Sequence, residues 1–136
     1  MASLEKNLII KRSLLKKAGK GLFTKKAIRK GERIVEYKGR IRTWKEIRSE
    51  DEFNGYVFYI NRDHVIDAKK NSRARARYAN DAKGLSKVNG IRNNCKYEQE
   101  GLKVYITAIK DIPAGSEILV GYGKEYWDIV KENKTM

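Results

Sequence analysis

The chain has 136 residues, 40% of them hydrophobic, which suits one domain whose single core buries roughly two thirds of the surface of the unfolded chain. Lys and Arg number 31 against 17 acidic residues, and the formal charge of +14 favours nucleic acid, anionic surfaces or an acidic cofactor group as partners. One cysteine, Cys95, and one histidine, His64, exclude an intramolecular disulfide and argue against a metal cluster within the chain, while the apolar runs are too short for a membrane span or a secretory signal. The expectation is a reduced, intracellular, membrane-free protein.

In chain order, short apolar or alternating runs recur as "NLIIKRSLL", "GLFTKKAI", "RIVEYKGRI", "YVFYINRDHVIDA", "CKYEQEGLKVYITAI" and "EILVGY", punctuated by Gly, Asn, Asp and Lys. This pattern predicts a mainly β domain of short strands. Between the third and fourth runs, "TWKEIRSEDE" begins with Thr43 and places Glu46 three residues later, a capping-box signature that predicts a short helical insert over about 43–54. Pro113 lies in "DIPAGSE", a turn ahead of the last strand, where no ladder donor is lost. A second short helix is predicted for "KEYWDIVKENK", inside an aromatic C-terminal segment spanning 122–136. No linker or low-complexity tract divides the chain, so 1–136 reads as a single domain. Ile28, Gly31, Ile34 and Val35 recur in spacing as Ile112, Gly115, Ile118 and Leu119, which predicts two similar strand-turn-strand units.

Three stretches offer chemistry. "KKAGKGLF" sets Gly19 and Gly21 around Lys20, letting backbone approach a bound group beside a cation, although as a bare G-x-G it is equally a turn and matches neither a dinucleotide fingerprint nor a P-loop. "RARARYANDAKG" alternates Arg73, Arg75 and Arg77 with alanine before Tyr78, Asn80 and Asp81, as suits an extended segment threading a crowded interior, or a solvated basic edge followed by an Asn-Asp turn. "ILVGYGKEYW" places Tyr122 between Gly121 and Gly123, which strips side chains from both neighbours of a phenol. His64 reads as a strand-turn surface residue, and Cys95 as a small buried residue with no base motif to activate it.

The order "GKGLF", "EYKG", "YVF", "RYAN" and "IPAGSEILVGYG" resembles the SET-domain family of protein lysine methyltransferases, from about Leu14 to Trp127. The resemblance implies small curved sheets with a pseudoknot and one or two short helices, in which "RYAN" and "VGYG" come side by side. It implies that S-adenosylmethionine binds near Gly19, Lys20, Gly21, Leu22, Arg77, Asn80 and Asp81, beside Tyr122, with Trp127 either against the adenine or capping the core. It also implies that a substrate lysine enters through an aromatic channel at Tyr56 and Tyr122, with Tyr37 packing nearby. The chain is similar to a compact member without cysteine-rich zinc segments, and no metal is expected. It departs from the family pattern where Asp81 and Ala82 follow Asn80, where Asn93 or Asn94 stands in for a Pro-Asn pair, and where Val120 replaces an aromatic residue two positions before Tyr122.

These residue types suit methyl transfer on physical grounds. In-line displacement at a sulfonium methyl needs alignment, worth on the order of 7–11 kcal/mol, and no metal. The amine must be neutral, which for a lysine of reference pKa about 10.4 costs roughly 4–5 kcal/mol at pH 7. A dry channel and a nearby cation supply that shift, and tyrosine offers a ring face and a hydroxyl to orient the amine. The partners implied are a histone tail or other basic protein carrying the target lysine, with nucleic-acid docking through the basic surface. The setting implied is nuclear in a eukaryote, otherwise cytoplasmic or that of an effector delivered to host chromatin. Two competing readings are a small basic β module that binds nucleic acid and a SET-like domain that binds protein without catalysis.

Overall fold

The structure, a computed structural model, describes residues 2–50, 54–71, 74–83 and 88–123. A one-turn helix, α1 (Ala2–Glu5), precedes the strands β1 (Leu8–Arg12), β2 (Lys20–Thr24), β3 (Arg33–Glu36) and β4 (Arg40–Arg42), then the helix α2 (Trp44–Arg48). The strands β5 (Val57–Asn61), β6 (His64–Asp67), β7 (Cys95–Glu100), β8 (Lys103–Ala108) and β9 (Glu117–Ile118) complete the set. They form three small antiparallel sheets of order β1-β2-β9, β3-β8-β7 and β4-β6-β5. The predicted mainly β class holds. Leu22, Phe23, Ile34, Val65, Val104, Ile106, Ile112, Ile118 and Val120 are fully buried, and each side chain of this kind stabilises the core by about 1.5–3 kcal/mol.

The helical insert forms as its sequence predicts. Thr43 Oγ1 accepts from the Glu46 N–H at 3.2 Å, and the Glu46 carboxylate accepts from the Thr43 N–H at 2.9 Å. The helix is shorter than the predicted insert and ends at a Ser49 cap. Residues 51–53 lie outside the described set, as does the predicted second helix within 124–136.

From Arg75 onward the "RARARY" segment is not extended. Arg75–Tyr78 is a 3₁₀ turn. With three residues per turn, Ala76 and Ala79 fall on one face, and both are 1% exposed. The arginines separate instead of lining one side, because each meets different carbonyls: Arg75 donates to Glu5 O, and Arg77 to Ala68 O and Lys69 O. Arg73 lies outside the described residues.

The repeated "I-x-x-G" spacing marks two units that pair with each other. Ile28 and Ile112 exchange N–H···O bonds of 2.8 Å each. Gly31 N–H donates to Ala108 O, and Gly115 N–H, at the equivalent place, donates to Thr24 O. Gly31 and Gly115 have φ of 92° and 85°, a turn that favours glycine. This local two-fold relation pairs β2 with β9 and β3 with β8, and so carries the C-terminal strand back to the start of the chain.

Beyond β9 the chain runs between two earlier segments. Val120 N–H donates to Asn80 O at 2.9 Å, while Leu119 O accepts from Cys95 N–H at 2.9 Å and Asn94 N–H at 3.0 Å. The carbonyl and amide of one trans peptide point to opposite edges, so Asn80 and Cys95 flank the segment on its two sides. This is the expected pseudoknot. Asn94 reinforces it, accepting from Leu119 N–H and donating to Glu117 O at 2.9 Å each.

Glu117 is 3% exposed and accepts from Ser13 Oγ at 2.7 Å and Leu14 N–H at 2.9 Å, fastening the loop after β1 to β9. Gly21 makes room for it: a Cβ at position 21 would stand 2.3 Å from Glu117 Oε2. Gly21→Ala is therefore expected to destabilise the fold by about 1–3 kcal/mol through overpacking, read as a lower midpoint in urea at unchanged slope.

Candidate active site

The three sheets and the crossing enclose a cavity of about 670 Å³, within the range of small-molecule and cofactor sites. Its wall draws on stretches distant in sequence: Gly19 and Lys20 at the start of β2, Tyr56 and Phe58 at β5, Arg77, Asn80 and Asp81 at the 3₁₀ turn, Tyr97 from β7, and Tyr122. Gly19 has φ 73°, and the space where its Cβ would stand is open. Asn80 Nδ2 donates to Lys20 O at 3.0 Å, which ties the glycine-lysine turn to the crossing.

Tyr122 is clamped at both ends by one short stretch. Its N–H donates to Asp81 Oδ2 at 2.8 Å, and its hydroxyl donates to Ala79 O at 2.5 Å. Asp81 is 5% exposed, and its carboxylate also accepts from Lys83 N–H and Asn93 Nδ2, each at 2.8 Å. Asn93 Oδ1 in turn accepts from Ala82 N–H at 2.7 Å. The departures at Asp81 and Asn93 thus answer each other: an acid and an amide, twelve residues apart, brace the backbone of the phenol. Gly121 fits under Asn93, where a Cβ would lie 3.5 Å from Nδ2.

Tyr56 is held by a second relay. Its N–H donates to Asn54 Oδ1 at 2.9 Å, Asn54 Nδ2 donates to Asp67 Oδ1 at 3.0 Å, and Arg42 pairs with Asp67 Oδ2 at 2.9 Å. Burial by itself would raise the Asp67 carboxyl, but hydrogen bonds from Asn54, the Lys69 N–H and Arg42 outweigh it and hold Asp67 below the usual carboxylate range. Between the two tyrosines runs an aromatic wall. Tyr97 stacks on Tyr122 at a centroid distance of 6.3 Å, Phe58 meets Tyr97 edge-on at 5.1 Å, and Tyr37 packs on both.

Arg77 lies between the faces of Tyr56 and Tyr78, at 4.4 and 4.9 Å from the ring centroids. Its Nε is buried without a hydrogen-bond partner among the described residues. Of the residues predicted for the site, Gly19, Lys20, Tyr56, Arg77, Asn80, Asp81 and Tyr122 border this one cavity. Gly21 and Leu22 stand behind it: Gly21 faces Glu117, and Leu22 is fully buried in the core. Trp127 lies outside the described residues. Tyr37, read as packing, borders the cavity at 5% exposure, whereas Val120 is fully buried in the core. His64 begins β6 opposite Asn61, and burial pushes the Cys95 thiol up to about 12, so it is no nucleophile.

Sequence reasoning missed Tyr97, Leu15 and Ala18, which also border the cavity. The alternation of "CKYEQE" put Tyr97 on one face of a strand but could not say which face met the crossing. Among the described residues there is no group of three or more His, Cys, Asp or Glu placed to hold a metal ion, and no helix long and apolar enough to cross a membrane.

Comparison with known proteins gives a consistent result. Residues 19–123 match the SET domain family. A "Variant-silencing SET domain-containing protein" of Plasmodium falciparum is 30% identical over 91% of this chain, and a "Histone-lysine N-methyltransferase EZH2" of Chaetomium thermophilum is 30% identical over 93% of it. The chain spans only 5% and 9% of the lengths of these two relatives.

Proposed function

The chain belongs to the SET-domain family of protein-lysine methyltransferases, and on that premise we propose that it transfers a methyl group from S-adenosylmethionine to the side-chain amine of a lysine in a basic protein. The observation that carries the reading is the convergence of Gly19, Lys20, Asn80, Tyr56 and Tyr122, from four separate stretches of chain, on one cavity. S-adenosylmethionine would supply an electrophilic methyl on a cationic sulfur.

The residues present fit such a group. Lys20 and Arg77 border the cavity and offer positive charge to a carboxylate. Asn80, having spent Nδ2 on Lys20 O, keeps its side-chain oxygen to accept from an ammonium. The open position at Gly19 lets backbone approach closely.

Tyr56 and Tyr122 would form the lysine channel. Because Tyr122 gives its hydroxyl proton to Ala79 O, its oxygen would meet an incoming amine as an acceptor and turn the amine's own lone pair toward the methyl. The stacked wall of Tyr97, Phe58 and Tyr37 excludes water along one side of the cavity, which disfavours the charged lysine and lowers its pKa. A rigid wall also limits the approach to near in-line geometry. Targets of this kind, histone tails among them, would put the activity inside a cell: in the nucleus of a eukaryote, otherwise in the cytoplasm or at host chromatin as a delivered effector.

The direct test is binding of S-adenosylhomocysteine, followed by thermal or urea unfolding. At a hundred times its dissociation constant the ligand is expected to stabilise the chain by about 2.7 kcal/mol. A chain that shows no stabilisation at millimolar ligand, yet binds a DNA duplex, would be the small basic β module instead.

A further inference from the structure

The positive charge is unevenly distributed. Residues 1–31 hold ten Lys and Arg against a single acid, Glu5. Antiparallel pairing of β1 with β2 concentrates these cations: Arg12 stands directly opposite Lys20 across the sheet, an arrangement that by itself destabilises a strand pair. The ion pairs found among the described residues are those of Arg33 and Arg42, and none involves Arg12, Lys16, Lys17 or Lys20. Lys17 adopts φ 59°, a left-handed conformation uncommon for a residue other than glycine, in the tight loop between the strands.

That loop bounds a shallow cavity of about 450 Å³, lined by Arg12, Leu14, Lys16 and Lys17. Leu15 and Gly19 border both this cavity and the candidate active site, so the two share a wall. Glu117 braces the loop from within at Ser13 and Leu14, with its carboxylate buried there. The result is an exposed group of like charges with no ion-pair partner among the described residues.

We infer that this loop and the adjoining ends of β1 and β2 dock the phosphate backbone of a double-stranded nucleic acid, beside the mouth of the active-site cavity. A duplex presents one negative charge per roughly 1.7 Å of axis, so adjacent cations on one surface meet more than one phosphate in any register. Contacts of this kind position the protein without reading sequence. An anionic membrane is the poorer match, since Leu14 is the single large exposed apolar side chain among the described residues of this stretch. The inference goes beyond methyl transfer and does not depend on it.

The test uses the full chain and a labelled mixed-sequence DNA duplex of about 30 base pairs, titrated over a salt series. The triple variant Arg12→Gln, Lys16→Gln, Lys17→Gln leaves Lys20 in place at the active site. It is expected to weaken binding about 100-fold at 0.1 M salt and to flatten the slope of log affinity against log salt by about 2.7, at unchanged melting temperature. A control triple of equal charge, Lys38→Gln, Lys96→Gln, Lys103→Gln, removes exposed cations on and beside the β3-β8-β7 sheet and is expected to cost less than about fivefold. Equal losses in the two triples would mean that net charge alone drives binding and would overturn the inference. So would tighter binding to phosphatidylserine vesicles than to the duplex.

Discussion

Tyr122→Phe is expected to lower the turnover number for methyl transfer to an accepted protein or peptide by about 10²–10³-fold, the range seen when one placed polar group is removed from a reacting centre. The ring remains, so stacking on Tyr97 is kept. What is lost is the oxygen proposed to meet the amine, and with it the bond to Ala79 O. The vacated carbonyl should cost about 1 kcal/mol of stability, small beside the kinetic effect. S-adenosylhomocysteine affinity should stay within about threefold, because the groups proposed to hold it, Lys20, Arg77 and Asn80, are untouched. Single-turnover transfer of a labelled methyl, set beside calorimetric titration, separates the two quantities. Unchanged transfer would remove Tyr122 from the chemistry and leave it a packing residue of the crossing.

Asp81→Ala carries the largest expected effect on stability, about 3–5 kcal/mol. The Asp81 carboxylate takes hydrogen bonds from Tyr122 N–H, Lys83 N–H and Asn93 Nδ2 in a buried position, and truncation strands all three donors. Asp81→Asn keeps one acceptor oxygen but turns an amide toward a donor, and should cost about 1–2 kcal/mol. The order Ala worse than Asn, read from urea midpoints at constant slope, is the signature of a hydrogen-bonded brace. The Asn variant should still fold and should lose turnover more than cofactor affinity, since a shift of about 1 Å in Tyr122 spoils alignment. An Asp81→Ala chain within about 1 kcal/mol of the parent would show that the crossing is held elsewhere, at Asn94 and the Val120–Asn80 pairing.

The strand runs, the Thr43–Glu46 capping box and the two glycine turns were legible in the sequence because each depends on neighbours within a few residues. The repeated "I-x-x-G" spacing was legible as a repeat, but its meaning was not: the two copies hydrogen-bond to each other, a contact across 84 positions that no local pattern encodes. For the same reason "RARARY" misled: period-two alternation suits an extended segment, but the buried face was set by what packs on it, here Ala76 and Ala79, three residues apart, against the core. Which tyrosines meet was likewise decided by the crossing. The sequence by itself determined the chemical types available, phenols, an amide, cations and flexible glycines. Tertiary structure alone chose Tyr97 for the wall, turned Gly21 toward Glu117, and spent the Asp81 charge on bracing Tyr122, because partners so far apart in the chain are matched only when the core closes and every buried donor must find an acceptor.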